Sequence, residues 1–165
     1  MTHEILLYVH VLGATVLLGT GAGIAFFMVM SNRSADPRLI AHVAGIVVVA
    51  DTVFTATTAV VQPVTGYLLA RWSGWPLSEG WIAASLVLYG VVGVFWLPVV
   101  FMQIRMRNLA RAARDAGTPL PAAYHRLYRW WFAFGFPAFA AVLAIVWLML
   151  TKPVFVTGFA KVTGS

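Results

Sequence analysis

The chain has 165 residues, of which 61% are hydrophobic and 10% are charged, and its mean hydropathy is +0.88. Apolar runs of about 20 residues separated by short polar segments predict a helical membrane protein, and the alternation typical of a β-barrel strand is absent. The chain has no cysteine, which excludes disulfides, thiolate chemistry and cysteine metal sites, and its net charge of +6 comes mostly from basic residues beside the apolar runs.

Four membrane spans are predicted in chain order, at about residues 5–30, 39–69, 81–106 and 131–150. Together they predict a single all-α domain, a four-helix membrane bundle, followed by a C-terminal tail at 153–165. The second span is longer than a bilayer requires, so we expect it to tilt or to bend at Pro63.

The basic residues predict how the bundle is oriented. Eight of the eleven follow spans one and three: Arg33, Arg38, Arg105, Arg107, Arg111, Arg114, Arg126 and Arg129. The opposite side holds Arg71, Lys152 and Lys161. Because cytoplasmic segments carry the excess of basic residues, both termini are expected on the periplasmic side of a bacterial inner membrane.

The arginine-rich connection, Arg105–Arg129, is interpreted as a topology signal that also attracts anionic lipid headgroups or a partner subunit. Nucleic acid is therefore not expected as a partner. Trp130 and Trp131, at the same side, are expected to belong to an interfacial aromatic belt.

A row of polar residues interrupts the second span. Its members are spaced 4, 3, 4 and 3 residues apart, which places them on one face of a helix: Asp51, Thr55, Thr58, Gln62 and Thr65. A charged carboxyl at membrane depth costs on the order of 3 kcal/mol to insert, so Asp51 is expected to face protein or water. Pro63 leaves the carbonyl of Ala59 without its helical donor. The row indicates either packing contacts between helices or the wall of a polar cavity.

His10, inside the first span, is the candidate metal ligand. Gly21 lies on its helical face and Gly13 lies beside it, and such small residues admit a flat ligand or a second helix. His42 belongs to the opposite leaflet, and its depth differs by roughly 20 Å or more. These two histidines therefore cannot hold one haem between them, although two centres, or one centre and a structural histidine, stay open.

Three segments carry a family resemblance. They are YVHVLGATVLLGTGAG in span one, Asp51 with QPVTG in span two, and YRWWFAFGFP with WLMLTKP in span four. Through these segments nearly the whole chain resembles an uncharacterised bacterial family of four-span, predicted integral membrane proteins. That family is in turn distantly similar to HemJ-type protoporphyrinogen oxidases and to CopD-type copper-resistance membrane proteins.

HemJ-type proteins bind b-type haem, so the resemblance implies a haem near His10, with Lys152 as a second axial ligand or a propionate partner. The implied site lies between spans one, two and four. HemJ-type proteins carry Asn-Glu before the span-four proline, whereas this chain has Gly135 and Phe136 there. The missing carboxylate argues against protoporphyrinogen oxidation itself, and methionines without a tight cluster argue against copper transport.

The leading hypothesis is a small inner-membrane haem b protein that carries out redox chemistry or electron transfer with a quinone or porphyrin-related partner. His10 is the expected metal ligand and Asp51 the expected catalytic group. The expected cofactor-binding residues are His10, Lys152, Gly13, Gly21, Gln62 and Thr55. The first alternative is a proton- or cation-coupled transporter or channel subunit that uses Asp51, and the second is an accessory subunit without chemistry. A redox partner protein and assembly into a homo-oligomer are further expectations.

Overall fold

Residues 2–154 are described by a computed structural model, and they are helical apart from three short connections and the residues that follow the last helix. The helices are α1 (Thr2–Arg33), α2 (Pro37–Ala50), α3 (Ala56–Trp72), α4 (Gly80–Ala116) and α5 (Ala122–Thr151). A π-helical segment at Asp51–Thr55, called the π-turn below, joins α2 directly to α3, so that Pro37–Trp72 forms one span. Of the predicted tail at 153–165, only residues 153 and 154 lie within the described residues.

The four predicted membrane spans are confirmed. The helices that form them contain 32, 36, 37 and 30 residues, whereas about 20 residues are enough to cross the hydrocarbon core. No strand occurs in residues 2–154. Large apolar side chains such as Val87 and Val94 are 68% exposed on the outside of the bundle, which is the surface a lipid bilayer covers. The protein is therefore an all-α, multi-pass membrane bundle.

The helices extend beyond the predicted spans, most of all at the arginine-rich connection. The predicted loop at Arg105–Arg129 is helical except at residues 117–121. The reason is that RNLARAARDA is polar but rich in strong helix formers. Met106, just before this segment, and its members Ala110 and Ala113 recur every three or four residues and are buried. Hydropathy falls at the membrane surface, but the amphipathic helix continues.

Local signals explain the sharp turns between helices. The Asp36 carboxylate caps α2 by accepting from the Arg38 backbone N–H at 2.9 Å, and Pro37 occupies the first helical position. Gly117 ends α4 in the left-handed conformation, φ 62°, and the backbone N–H of Thr118 bonds to the Ala113 carbonyl. Turns this short make neighbouring spans antiparallel. One end of the bundle, the arginine end, therefore carries residues 34–36 and 117–121, and the other, the termini end, carries Thr2 and Thr151.

The bundle is packed most tightly at the arginine end. There α4 lies along α5, α2 packs against α4 and α1, and the side chains of Met28, Ile40, Met106 and Tyr124 are fully buried. Toward the termini end, α3 packs mainly against α1. The helix runs through Pro63, and the local departure from α-helical hydrogen bonding in the second span lies at the π-turn, while the tilt or bend expected for this span stays a prediction. This arrangement turns the polar row of the second span toward α4 at Asp51 and toward α1 at Gln62 and Thr65.

Candidate functional site

All five members of the polar row are buried. Asp51 is 4% exposed, although it lies in the middle of a membrane span. Thr52 and Thr57, which fall on other faces of the same helix, are exposed. The polar row is therefore a single interior face that points into protein, and the expectation that Asp51 avoids lipid is met.

The Asp51 carboxyl is held by two side chains of α4, one of which is in turn held by a side chain of α5. Trp96 Nε1 donates to Asp51 Oδ1 at 3.2 Å. The Gln103 amide satisfies both of its neighbours in one orientation, in which its nitrogen donates to Asp51 Oδ2 at 3.1 Å and its oxygen accepts from Trp131 Nε1 at 3.2 Å. The Thr55 hydroxyl lies beside the same carboxyl. We call Asp51, Trp96, Gln103 and Trp131 the carboxyl cluster.

In the carboxyl cluster, the orientation of the Gln103 amide affects where Asp51 can carry a proton. An indole N–H only donates, so Trp131 requires the oxygen of Gln103 to face it and the amide nitrogen to face Asp51. A proton on the side of Asp51 Oδ2 that faces Gln103 would meet a donor, and it would form a hydrogen bond there only if the amide rotated and gave up Trp131. A proton in that position would therefore exchange two hydrogen bonds in the bundle interior.

Asp51 is the first residue of the π-turn. The backbone N–H of Ala56 bonds to the Asp51 carbonyl five residues earlier, rather than following the four-residue spacing of an α-helix. Asp51 and Thr55 are both buried on the interior face. Such turns occur often at functional sites.

Gln62, further along the row, ties the second span to the backbone of α1. Its Nε2 donates to the carbonyl of His10 at 2.7 Å. A Cβ atom added at Gly13 would collide with Gln62 Nε2 and would lie 3.1 Å from Thr58 Cγ2. Gly13 therefore provides room for a neighbouring helix, and the side chains of Gln62 and Thr58 fill that room.

His10 of α1 lies beside Thr65, at the end of the polar row that is nearer the termini. Its Nδ1 lies 2.8 Å from Thr65 Oγ1, and the same hydroxyl donates to the Val61 carbonyl at 2.8 Å. A hydroxyl has one hydrogen, so when it is given to Val61 the imidazole must donate from Nδ1. In that tautomer His10 Nε2 carries the free lone pair. The ring packs on Gly66, where a Cβ would lie 3.2 Å from His10 Cε1.

The predicted cofactor residues do not all meet. His10, Gly13 and Gln62 come together between spans one and two, whereas Gly21 lies farther along α1, where a Cβ would be 4.0 Å from Phe139 Cδ2. Lys152 is exposed, and its Nζ lies 5.7 Å from the centre of the Trp81 ring. Within residues 2–154 no hydrogen bond or ion pair joins Lys152 to the histidine.

The polar row also separates the two candidate chemical groups. Asp51 and Thr65, the partner of His10, are 14 positions apart, which corresponds to about 21 Å along a helix. In the described part of the chain no three His, Asp or Glu side chains lie together as a metal-binding set. The candidate site is therefore a line with the carboxyl cluster at one end and the His10–Thr65 pair at the other.

Sequence reasoning missed the partners of Asp51. The sequence pattern predicts that Trp131 belongs to the interfacial belt, but its side chain is buried, with 4% exposed. Its neighbour Trp130 is 58% exposed. The two residues lie on different faces of α5, and only Trp131 faces the core. Gln103 carried a usable signal, since it is a lone amide at the end of the apolar run GVFWLPVVFMQ. Trp96 carried none, because an indole inside a span is also a common packing residue.

The fold and site define a class: a four-span helical membrane protein with an internal row of polar side chains and a buried carboxyl cluster. The chain belongs to the family described as predicted integral membrane protein DUF2269, whose family model matches residues 4–153. This match confirms the predicted family, while the similarity to HemJ-type and CopD-type proteins stays a prediction. Neither the curated proteins nor the solved structures gave a match.

Proposed function

We propose that this protein takes up and releases protons inside the membrane, with Asp51 as the titrating group of a proton- or cation-coupled transport cycle in the bacterial inner membrane. The observation that carries the proposal is the carboxyl cluster. It consists of a buried carboxyl at mid-span whose two oxygens accept hydrogen bonds from Trp96 and Gln103. Intramembrane carboxyl groups commonly mark proton or ion pathways.

The polar row supports access to Asp51 from the termini end. Thr55, Thr58, Gln62 and Thr65 follow the carboxyl at intervals of about one helical turn and lead to His10. In the other direction Met28 and Met106 are fully buried near the arginine end, together with the polar side chain of Ser31 and the hydroxyl of Tyr124. A proton thus has a polar approach from one side of the membrane. Release to the other side requires a rearrangement, for which the π-turn is the candidate element.

The test is a pH titration of the carboxyl by infrared difference spectroscopy on protein reconstituted in lipid. We expect a carboxylic acid C=O band that appears on acidification and is absent in Asp51→Asn. Asp115→Asn is the matched control, because Asp115 lies at the arginine end with a side chain that is 66% exposed. A spectrum in which the carboxyl band is the same in the wild type and Asp51→Asn would disprove the proposal. Proton flux into proteoliposomes, driven by an imposed pH gradient, should be lost in the same variant.

A second candidate function, haem b binding for electron transfer, is supported by a different observation. When the Thr65 hydroxyl donates to Val61, His10 donates from Nδ1 to Thr65, and its Nε2 has a free lone pair that could ligate a metal. This nitrogen could hold a haem iron, and the haem would supply one-electron chemistry when bound. The space beside Gly13, which was expected to admit a flat ligand, does not fit a haem, because the side chains of Gln62 and Thr58 fill it. A haem on His10 would therefore require those two side chains to move.

Absorption spectroscopy distinguishes the second candidate from the first. Haem binding predicts a Soret band in protein from haem-replete cells, and loss of that band in His10→Ala. His42→Ala is the control, since His42 is exposed and lies toward the arginine end. Lys152→Ala tests whether the lysine ligates the haem iron, because loss of a ligand shifts the band and loss of a side chain over Trp81 does not. A folded but colourless protein would rule out haem, and with it a haem-to-quinone or redox-partner role.

A further inference from the structure

A groove at the arginine end has not been used by either proposal. It lies between α4 and the outer face of the second span and has a volume of about 470 Å³. Its basic part is formed by His42, Arg111 and Arg114, and its apolar part includes Ile46, Val49 and Phe54. All three apolar residues are at least half exposed, so the groove opens to the surface that lipid covers.

The chemistry of the groove changes with depth. From His42 to Phe54 the second span rises by about 18 Å, which is somewhat more than half the thickness of a hydrocarbon core. The arginines lie at the level of His42, near the membrane surface, whereas Phe54 belongs to the π-turn in the middle of the span. A charged head at the surface and an apolar length that reaches toward the membrane centre match the shape of one phospholipid.

The arginines are placed to receive an anion. Arg114 is paired with its chain neighbour Asp115 at 2.9 Å, and the side chain of Asp115 is 66% exposed. Arg111 lies over Gly45, where an added Cβ would be 3.4 Å from its Nη2. Because Gly45 has no side chain, the Arg111 guanidinium lies close against the second span, beside the apolar part of the groove. Guanidinium groups bind phosphate through paired hydrogen bonds.

We propose that this groove binds one anionic phospholipid from the leaflet at the arginine end, with its phosphate on Arg111 and Arg114 and an acyl chain along Ile46, Val49 and Phe54. The charge of the groove selects the ligand, because a zwitterionic lipid brings a cation toward the same arginines. This lipid site is separate from the polar row, which faces the interior of the bundle.

The test uses native mass spectrometry of the full chain in detergent, titrated with phosphatidylglycerol or with phosphatidylcholine. We expect phosphatidylglycerol to bind at least about tenfold more tightly, as expected for charge-assisted hydrogen bonds. The double variant Arg111→Gln/Arg114→Gln should remove this preference. The double variant Arg105→Gln/Arg126→Gln removes the same charge outside the groove and should retain it. Equal affinity for the two lipids, or equal losses in the two variants, would overturn the proposal.

A second pair of variants tests the groove without changing its charge. Gly45→Leu fills the groove under Arg111 and is expected to weaken phosphatidylglycerol binding at least about fivefold, since the guanidinium is displaced and the space is lost. Gly90→Leu is the matched control, because a Cβ at Gly90 would meet nothing within 4 Å. Unchanged binding in Gly45→Leu, or displacement of the lipid by an equal concentration of a neutral quinone, would contradict a phospholipid site.

Discussion

The Tyr89 hydroxyl donates a hydrogen bond to the carbonyl oxygen of Ala59, the carbonyl that Pro63 leaves without a helical partner. A proline at position 63 cannot supply the N–H that a regular helix would direct to residue 59. Span three supplies the donor instead. The proline therefore contributes to helix packing, since it creates an acceptor on α3 that a side chain of α4 satisfies.

Tyr89→Phe tests this relationship. It should lower the free energy of unfolding by about 1 kcal/mol, because the Ala59 carbonyl loses its donor. In a Pro63→Ala background, in which residue 63 regains its N–H, the same substitution should cost much less. Unfolding in mixed detergent micelles measures both, with Tyr67→Phe as a control at an exposed tyrosine. A loss that is equal in the two backgrounds would show that the tyrosine does not replace the helical donor.

Trp131→Phe tests the carboxyl cluster. The substitution removes the donor to the Gln103 oxygen and should destabilise the protein by about 1–2 kcal/mol, because a buried amide is left with an unpaired acceptor. It also frees the amide to rotate toward a protonated Asp51, so the carboxylic acid band of Asp51 should shift. Trp130→Phe is the matched control on the exposed face of the same helix. Equal effects of the two substitutions would mean that Trp131 contributes packing alone.

The interior face of the second span could be predicted from the sequence because all of the residues that define it lie on one helix. The spacing of Asp51, Thr58 and Thr65 is enough to show that these residues share a face, and all three are buried. Their partners could not be predicted in the same way. Gln103 and Trp131 come from α4 and α5, and their approach to Asp51 depends on how those helices are rotated, which the nearly uniform hydropathy of a membrane span does not encode.

The π-turn and the arginine end show two further limits. The segment DTVFT has no composition that separates a π-helical turn from an α-helical one, so the sequence pointed to Pro63, the one residue with a known effect on helices. At the arginine end, the fall in hydropathy predicts where the membrane span stops, but it does not predict where the helix ends. The helix continues to Ala116 because helix propensity and a buried face at Met106 and Ala110 are independent of hydropathy.

Gly13→Ala tests the close contact between α1 and the second span. The added Cβ meets the Gln62 amide and Thr58, so Gln62 must shift and lose its hydrogen bond to the His10 carbonyl. We expect a loss of about 1–3 kcal/mol in unfolding free energy. Gly19→Ala is the control, since a Cβ there meets nothing within 4 Å and alanine favours a helix. Gln62→Ala should remove most of the penalty from Gly13→Ala, and a penalty that persists would place the clash elsewhere.

The tautomer of His10 is open to direct measurement. The hydrogen bonds of Thr65 predict a proton on Nδ1 and none on Nε2, which nitrogen-15 solid-state NMR of the protein in lipid distinguishes. Thr65→Val removes the acceptor and should produce a mixture of tautomers. Thr57→Val, at an exposed threonine of the same helix, should leave the His10 signals unchanged. A wild-type spectrum with the proton on Nε2 would reverse the roles of the two groups, because the Thr65 hydroxyl would then donate to Nδ1, and His10 would have no free nitrogen to offer a haem iron.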